Sequence, residues 1–150
     1  MSILSEKTMD LIRHRIDASI TQNFKEEGRP DKWKKSIRAK ATGGKTLSDT
    51  GTLKNSIVVD IGKRQQIIAG TGTVYAAVHQ FGINKTVNVK AHTRKIKQAF
   101  GRPINPTTVN VKAHTMKMNI PARPFLMVQD NDWEYIAEII LQGVENAFGK

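Results

Sequence analysis

No cysteine occurs among the 150 residues, which removes disulfides, thiolate zinc sites and a cysteine nucleophile together. No apolar run approaches the ~20 residues needed to span a bilayer, and the N-terminus lacks the apolar core of a secretory signal. A soluble protein made in a cytoplasm, with no membrane partner, is the expectation. A third absence is local. Between Asp60 and Asp130 there is no Asp or Glu, yet Lys63, Arg64, Lys85, Lys90, Arg94, Lys95, Lys97, Arg102, Lys112, Lys117 and Arg123 all fall there. The remainder of the chain balances its charges, so the formal net charge of +11 belongs to this one segment. One-signed charge gathered on one element steers association with phosphate or with an acidic protein face.

The length suits one domain able to bury a core without metal or disulfide staples. With 39% hydrophobic and 25% charged residues, the chain is slightly poor in apolar material, which predicts that part of it lies outside the core. Met9, Ile12, Ile16, Ile20 and Phe24 recur at spacings of three and four and predict a helix, ended by Gly28-Arg29-Pro30. Asp31 to Lys45 reads as a loop or a frayed turn anchored by Trp33. Asp49 and Thr50 are good caps for a short helical turn carrying Leu53 and Ile57. Val58, Val59 and Ile61, then Gly62-Lys63-Arg64, then Ile67, Ile68 and Ala69 read as two strands and a tight turn. Thr73 to Phe81 predicts a short helix with Tyr75, Val78 and His79 inward. Asp130 is the expected cap of a last helix whose stripe is Trp133, Ile136, Ala137, Ile140, Leu141 and Val144.

Val87-Asn88-Val89-Lys90-Ala91-His92-Thr93-Arg94-Lys95 returns as Val109-Asn110-Val111-Lys112-Ala113-His114-Thr115-Met116-Lys117. Two copies fall short of the three or more that a stacked solenoid needs. A hairpin is expected instead, with a surface loop of duplicated sequence as the competing reading. Alternation would give each strand a small apolar face and a basic face holding His92 and His114. Gly101-Arg102-Pro103 and Asn105-Pro106 would break pairing and supply a wide turn. An isolated hairpin is marginal in water, which predicts full ordering only against a neighbour.

Asp49-Thr50-Gly51 matches the tripeptide of dimeric aspartic proteases, but the preceding Lys45-Thr46-Leu47-Ser48 is too polar to bury a dyad, and capping is the favoured role. His14, His79, His92 and His114 show no metal-motif spacing, so no metal and no cofactor is expected. His79 reads as a buried, hydrogen-bonded residue, since no nucleophile lies near it in sequence. Gly70-Thr71-Gly72 lacks the rest of a phosphate loop. No aromatic residue falls within the repeats, which disfavours stacking on single strands and leaves phosphate contact as the nucleic-acid option.

Lys45 to Ile57, Gly72 to Gly82 and Ile120 to Leu126, in that order, resemble the phage virion morphogenesis family, the tail completion proteins of contractile-tailed phages and related prophages. The likeness runs from the first helix through Gly28-Arg29-Pro30-Asp31-Lys32-Trp33 to Asp130-Asn131-Asp132-Trp133-Glu134. It implies a non-enzymatic virion part at the head-proximal end of the tail or in the neck, present in the host cytoplasm during assembly. Asp49, Thr50, Gly51, Leu53, Tyr75, His79, Phe81, Gly82, Pro121, Arg123, Pro124 and Phe125 would be structural motif residues. Gly51 and Gly82 would permit turns, Tyr75 and Phe81 would anchor the central helix, and the proline-rich run would dock beside the sheet.

The expected fold is a single α+β domain over residues 1–150. Its small, mainly antiparallel β-sheet packs against N- and C-terminal helices, and residues 84–119 project as a basic β-hairpin arm. The expected function is tail completion or head–tail joining by a ring of identical subunits, with six as the anticipated number. Lys90, His92, Arg94, Lys95, Lys112, His114 and Lys117 would meet the next subunit or another tail or neck protein. The alternative is a sequence-independent nucleic-acid module gripping DNA phosphates with the same arm.

Overall fold

A computed structural model describes residues 3–99 and 102–149. It is α+β and divides into two units, residues 1–82 with 121–150, and residues 83–120. Among the described residues no helix is long and apolar enough to cross a membrane.

In the first unit, α1 (Glu6–Glu26) starts at Ser5, whose Oγ accepts from the Thr8 amide at 3.1 Å, satisfying a donor the helix itself leaves open. Its buried face is Met9, Ile12, Ile16, Ile20 and Phe24, the stripe expected from the spacing. The helix ends at Glu27 in the left-handed region, and Gly28 follows at φ 109°. A Cβ on Gly28 would sit 2.5 Å from the Asp31 carbonyl oxygen, so this reversal requires glycine. The turn delivers Trp33 edge-on to Phe24, with ring centroids 5.6 Å apart, while Phe125 packs on Phe24 at 5.5 Å.

The segment expected to be a loop or a frayed turn contains a short helix, α2 (Ile37–Thr42), capped by Ser36 Oγ on the Ala39 amide at 3.1 Å. The next short helix, α3 (Thr52–Asn55), is preceded by Gly51 at φ 78° and has no side-chain cap. Asp49 pairs with Arg38 instead. Strands β1 (Ile57–Gly62) and β2 (Gln66–Thr71) form an antiparallel hairpin with Val59 opposite Ala69 and Ile61 opposite Ile67. Val59 is buried, with Ile57 and Ile61 half-buried on the same side, as the two-residue period requires. Helix α4 (Ala76–Phe81) buries Ala76. Phe81 does not anchor it, being 78% exposed, and Tyr75 is exposed as well.

Residues 121–129 run without a strand partner, so their backbone groups need side chains. Asn23 Nδ2 donates to the carbonyls of Phe125 (3.0 Å) and Met127 (2.7 Å), and Gln80 Oε1 accepts from the amides of Phe125 and Leu126. The run thus docks on α1 and α4. Helix α5 (Asp130–Phe148) follows, with Gln129 rather than Asp130 at the cap position. It buries Asp132, Ile136, Ile139 and Gly143. Trp133, Ala137, Ile140 and Leu141 from the expected stripe are exposed, because Ile136 and Ile139 meet α1 and turn those positions outward.

The second unit is one antiparallel ribbon: β3 (Ile83–Val89) pairs with β6 (His114–Ile120), and β4 (His92–Ala99) with β5 (Arg102–Val111). The repeat copies pair with each other, Asn88 with Thr115 and Thr93 with Asn110. Each copy's first half therefore meets the other's second half, which is a local two-fold. The ladder opens at Lys90-Ala91 and again at Lys112-Ala113. His92 Nδ1 donates to the Lys90 carbonyl at 2.9 Å, and His114 Nδ1 to the Lys112 carbonyl at 2.9 Å. Identical sequence makes identical kinks.

This register corrects the two-faced expectation. Val109 lies opposite Arg94, Val111 opposite His92 and Val89 opposite His114, and directly opposed residues share a face. Basic and apolar side chains are interleaved. The expected wide turn also falls away, since Pro103 pairs with Gln98 and Asn105-Pro106 lie within β5. A two-stranded ribbon has only edges, where proline is tolerated, and Pro106 falls in the register shift between Ile96 and Gln98. Gly101, part of that expected turn, lies outside the described residues.

Candidate functional site

Three sequence motifs meet at a pocket of about 260 Å³ in the first unit. Leu47, Asp49, Thr50, Gly51, Thr52 and Leu53 form one wall, Tyr75 and His79 from the start of α4 another, and Arg123 from the extended run lies against both. Ser36 and Arg38 of the α2 region complete it.

Arg123 is fixed twice. Its backbone amide donates to the His79 carbonyl at 2.7 Å, and its Nε donates to the Lys34 carbonyl at 2.9 Å. It is 4% exposed, yet among the described residues no acidic side chain pairs with it. Burial lowers its pKa from the ordinary value, but a guanidinium stays charged in proteins. His79 packs edge-on to Tyr75 with centroids 5.9 Å apart, and its buried Nδ1 has no hydrogen-bond partner among the described residues. The expected buried position is thus only partly met, and the expected hydrogen bond is missing. Burial first, and the Arg123 charge second, hold the imidazole below its ordinary value.

The Asp49 carboxylate is two-thirds exposed and lies 3.3 Å from Arg38 Nη1, unlike the buried carboxylates of a protease dyad. Thr50 and Thr52 share a hydroxyl hydrogen bond at 2.7 Å. The site therefore offers a desolvated cation, a neutral imidazole, hydroxyl groups and apolar walls. That set suits holding an anion.

Leu53 is in the core as well as in the pocket wall. The other motif residues lie outside the pocket. Phe125 is fully buried, and the Pro124 carbonyl accepts from Trp33 Nε1 at 3.3 Å. Gly82 has φ 73° and closes α4, while Pro121 begins the extended run and Phe81 faces solvent. Arg38, Asn23 and Gln80 were not singled out from the sequence. Ser36 before Ile37-Arg38-Ala39-Lys40-Ala41 was a readable helix start, but the amide clamps carry no sequence signal.

The basic residues of the repeat lie in the second unit. Lys90 and Lys112 sit at the two ladder openings, Arg94 and Lys95 in β4, and Lys117 in β6. These five, together with Lys85, Lys97 and Arg102, are all exposed.

Residues 5–145 match the phage virion morphogenesis family. The chain is 34% identical over 125 residues to the Mu-like prophage FluMu G protein 2 of Haemophilus influenzae, an alignment covering 83% of this chain and 67% of that protein. No solved structure matches the chain. The three motifs that build the pocket fall inside the matched span, and the chain belongs to the phage virion morphogenesis family.

Proposed function

We propose that the protein is a non-enzymatic virion component that completes the tail or joins it to the head, by closing into a ring of identical subunits at the head-proximal end of the tail. Six is the subunit number this reading favours. One observation carries it: the chain holds two surfaces of opposite character. The ribbon from Ile83 to Ile120 has eight Lys and Arg and no acid. Helix α5 has five acids and no base, of which Asp130, Glu134, Glu138 and Glu145 are exposed. Beside them Trp133 (52%), Leu141 (63%) and Phe148 (75%) are large apolar side chains open to solvent, of the kind an interaction face uses.

A basic, partly apolar ribbon suits such a helix on the next copy. Contact between two different patches of identical subunits is head-to-tail, and it closes into a ring when the rotation allows. The tail then ends in a face that does not propagate. In this reading the ribbon, as an accessory arm, also reaches adjoining tail or neck proteins.

Native mass spectrometry across concentration tests the assembly. A discrete ring mass is expected, and charge reversal at Lys90 and Lys112 to Glu should lower it to monomer. Combining that change with Glu134→Lys and Glu138→Lys should restore the ring. A monomer at every concentration and low salt would count against self-closure.

The eight exposed cations favour a second reading, sequence-independent contact with DNA. Neutralising about six phosphates would make binding fall roughly a thousandfold between 50 and 200 mM salt. No gel-shift retention of duplex DNA at low salt would dispose of it.

A further inference from the structure

We infer that the pocket closed by Arg123 is a receptor for a single carboxylate, an Asp or Glu side chain presented by a neighbouring protein. A largely desolvated guanidinium without a counter-ion is costly, because a single carbonyl partner does not replace the water that burial removes. Arg123 is in that state, and its backbone and Nε bonds fix its position. Neither Arg123 terminal nitrogen has a hydrogen-bond partner among the described residues, and neither is buried out of reach.

The charge count selects a monoanion. Arg38 is paired with Asp49 at 3.3 Å, and His79 is held neutral at pH 7, leaving one cation uncompensated. The Asp49 carboxylate at the wall would repel a dianion such as phosphate. A planar guanidinium fork matches a carboxylate, the Thr50–Thr52 hydroxyl pair leaves one O–H free to donate, and Leu47 and Leu53 give an apolar wall for methylene groups. Bound there, the side chain would be held by charge and hydrogen bonds to a residue that is itself fixed twice, so the pocket acts as a latch.

Propionate is the probe, titrated into the full chain against equimolar sodium chloride while NMR follows the His79 imidazole and the Arg123 Nε–H. Saturable shifts are expected at these two residues, with the His79 pKa rising because a bound anion favours the imidazolium. Propionamide, the neutral isostere, should leave both unmoved, and Arg123→Met should abolish the response with its thermal transition retained. Sedimentation in the same series names the source of the natural carboxylate. Dissociation of an assembly assigns it to a second copy, and an unchanged assembly assigns it to another protein. Shifts that never saturate, or that propionamide reproduces, would overturn the inference without any variant having to fold. The ring reading stands or falls separately, on mass.

Discussion

Arg15 on α1 and Asp132 on α5 are bonded at 2.7 Å, Nη2 to Oδ1, and this pair fastens the two ends of the chain together. Asp132 is buried and also accepts from Ser19 Oγ, with Arg29 Nη2 at 3.5 Å. The Arg15 guanidinium lies over the Tyr135 ring, 4.6 Å from its centroid. Removing the carboxylate would strand Arg15 and Arg29 against each other.

Asp132→Ala should therefore cost about 2–3 kcal/mol, below the usual range for breaking a buried pair because Arg15 is partly exposed. Burial pushes the Asp132 pKa up, but the Ser19 hydrogen bond and the Arg15 and Arg29 charges outweigh it and hold the carboxyl below 3.8. Its contribution is present above pH 3.8 and lost as pH falls through the lower folded value. Urea midpoints at pH 7 and pH 3 should converge for the wild type and the variant as acid is added. A gap unchanged at pH 3 would show that the ionised carboxylate is not the source.

Gly143 sits inside α5, where glycine normally costs about 1 kcal/mol against alanine. Here a Cβ would meet Thr8 Cγ2 at 2.7 Å and Leu4 Cδ2 at 3.2 Å. Thr8 is buried and bonded to Ser5 Oγ at 2.8 Å, so it yields poorly. Gly143→Ala should lose more than it gains in helix propensity, with a net destabilisation of roughly 1 kcal/mol. Thr8→Ser in the same chain removes the clashing methyl and should recover most of that loss. A Gly143→Ala variant melting above the wild type would show that the two helices can part freely.

How much could be read beforehand follows from where the signals are local. Helix α1, the β1–β2 hairpin and the pairing of the repeats follow from periods of 3.6 and 2 within short windows. The inward face of α5 is not fixed by its sequence, because Trp133, Ile136, Ile140 and Leu141 all suit a stripe, and only packing on α1 decides which side is inward. The mixed faces of the ribbon follow from register: pairs such as Val87 with Met116 and Arg94 with Val109 join odd to even positions, which no single strand discloses. The pocket was legible as three separate motifs, while the unpaired state of Arg123 needed coordinates.

His79 gives a second pH signature, of opposite origin. Its folded pKa lies below 6.5 through burial and the Arg123 charge. Between those two values the unfolded chain binds more protons, so stability rises with pH there. The contribution is complete above about pH 6.5, declines as pH falls towards the folded value, and is flat below it. His79→Gln should flatten the melting temperature between pH 7.5 and 5.5. Parallel profiles for the variant and the wild type would assign the slope to another group.

Deleting Asn84 to Asn119 tests the two-unit architecture. The buried core, from Met9 and Phe24 through Val59 and Ala76 to Phe125 and Ile139, lies wholly in the first unit. Ile83 and Ile120 are register partners, so an Asn-Gly turn can join them without moving the chain ends. The shortened protein should melt cooperatively, within a few degrees of the full chain, since among the described residues the removed ribbon supplies none of that core. It should also lose eight positive charges, fail to form the ring and fail to bind DNA, while still giving the propionate response at His79. Loss of the whole thermal transition would mean that the ribbon stabilises the body it is joined to, and the accessory-arm reading would fall with it.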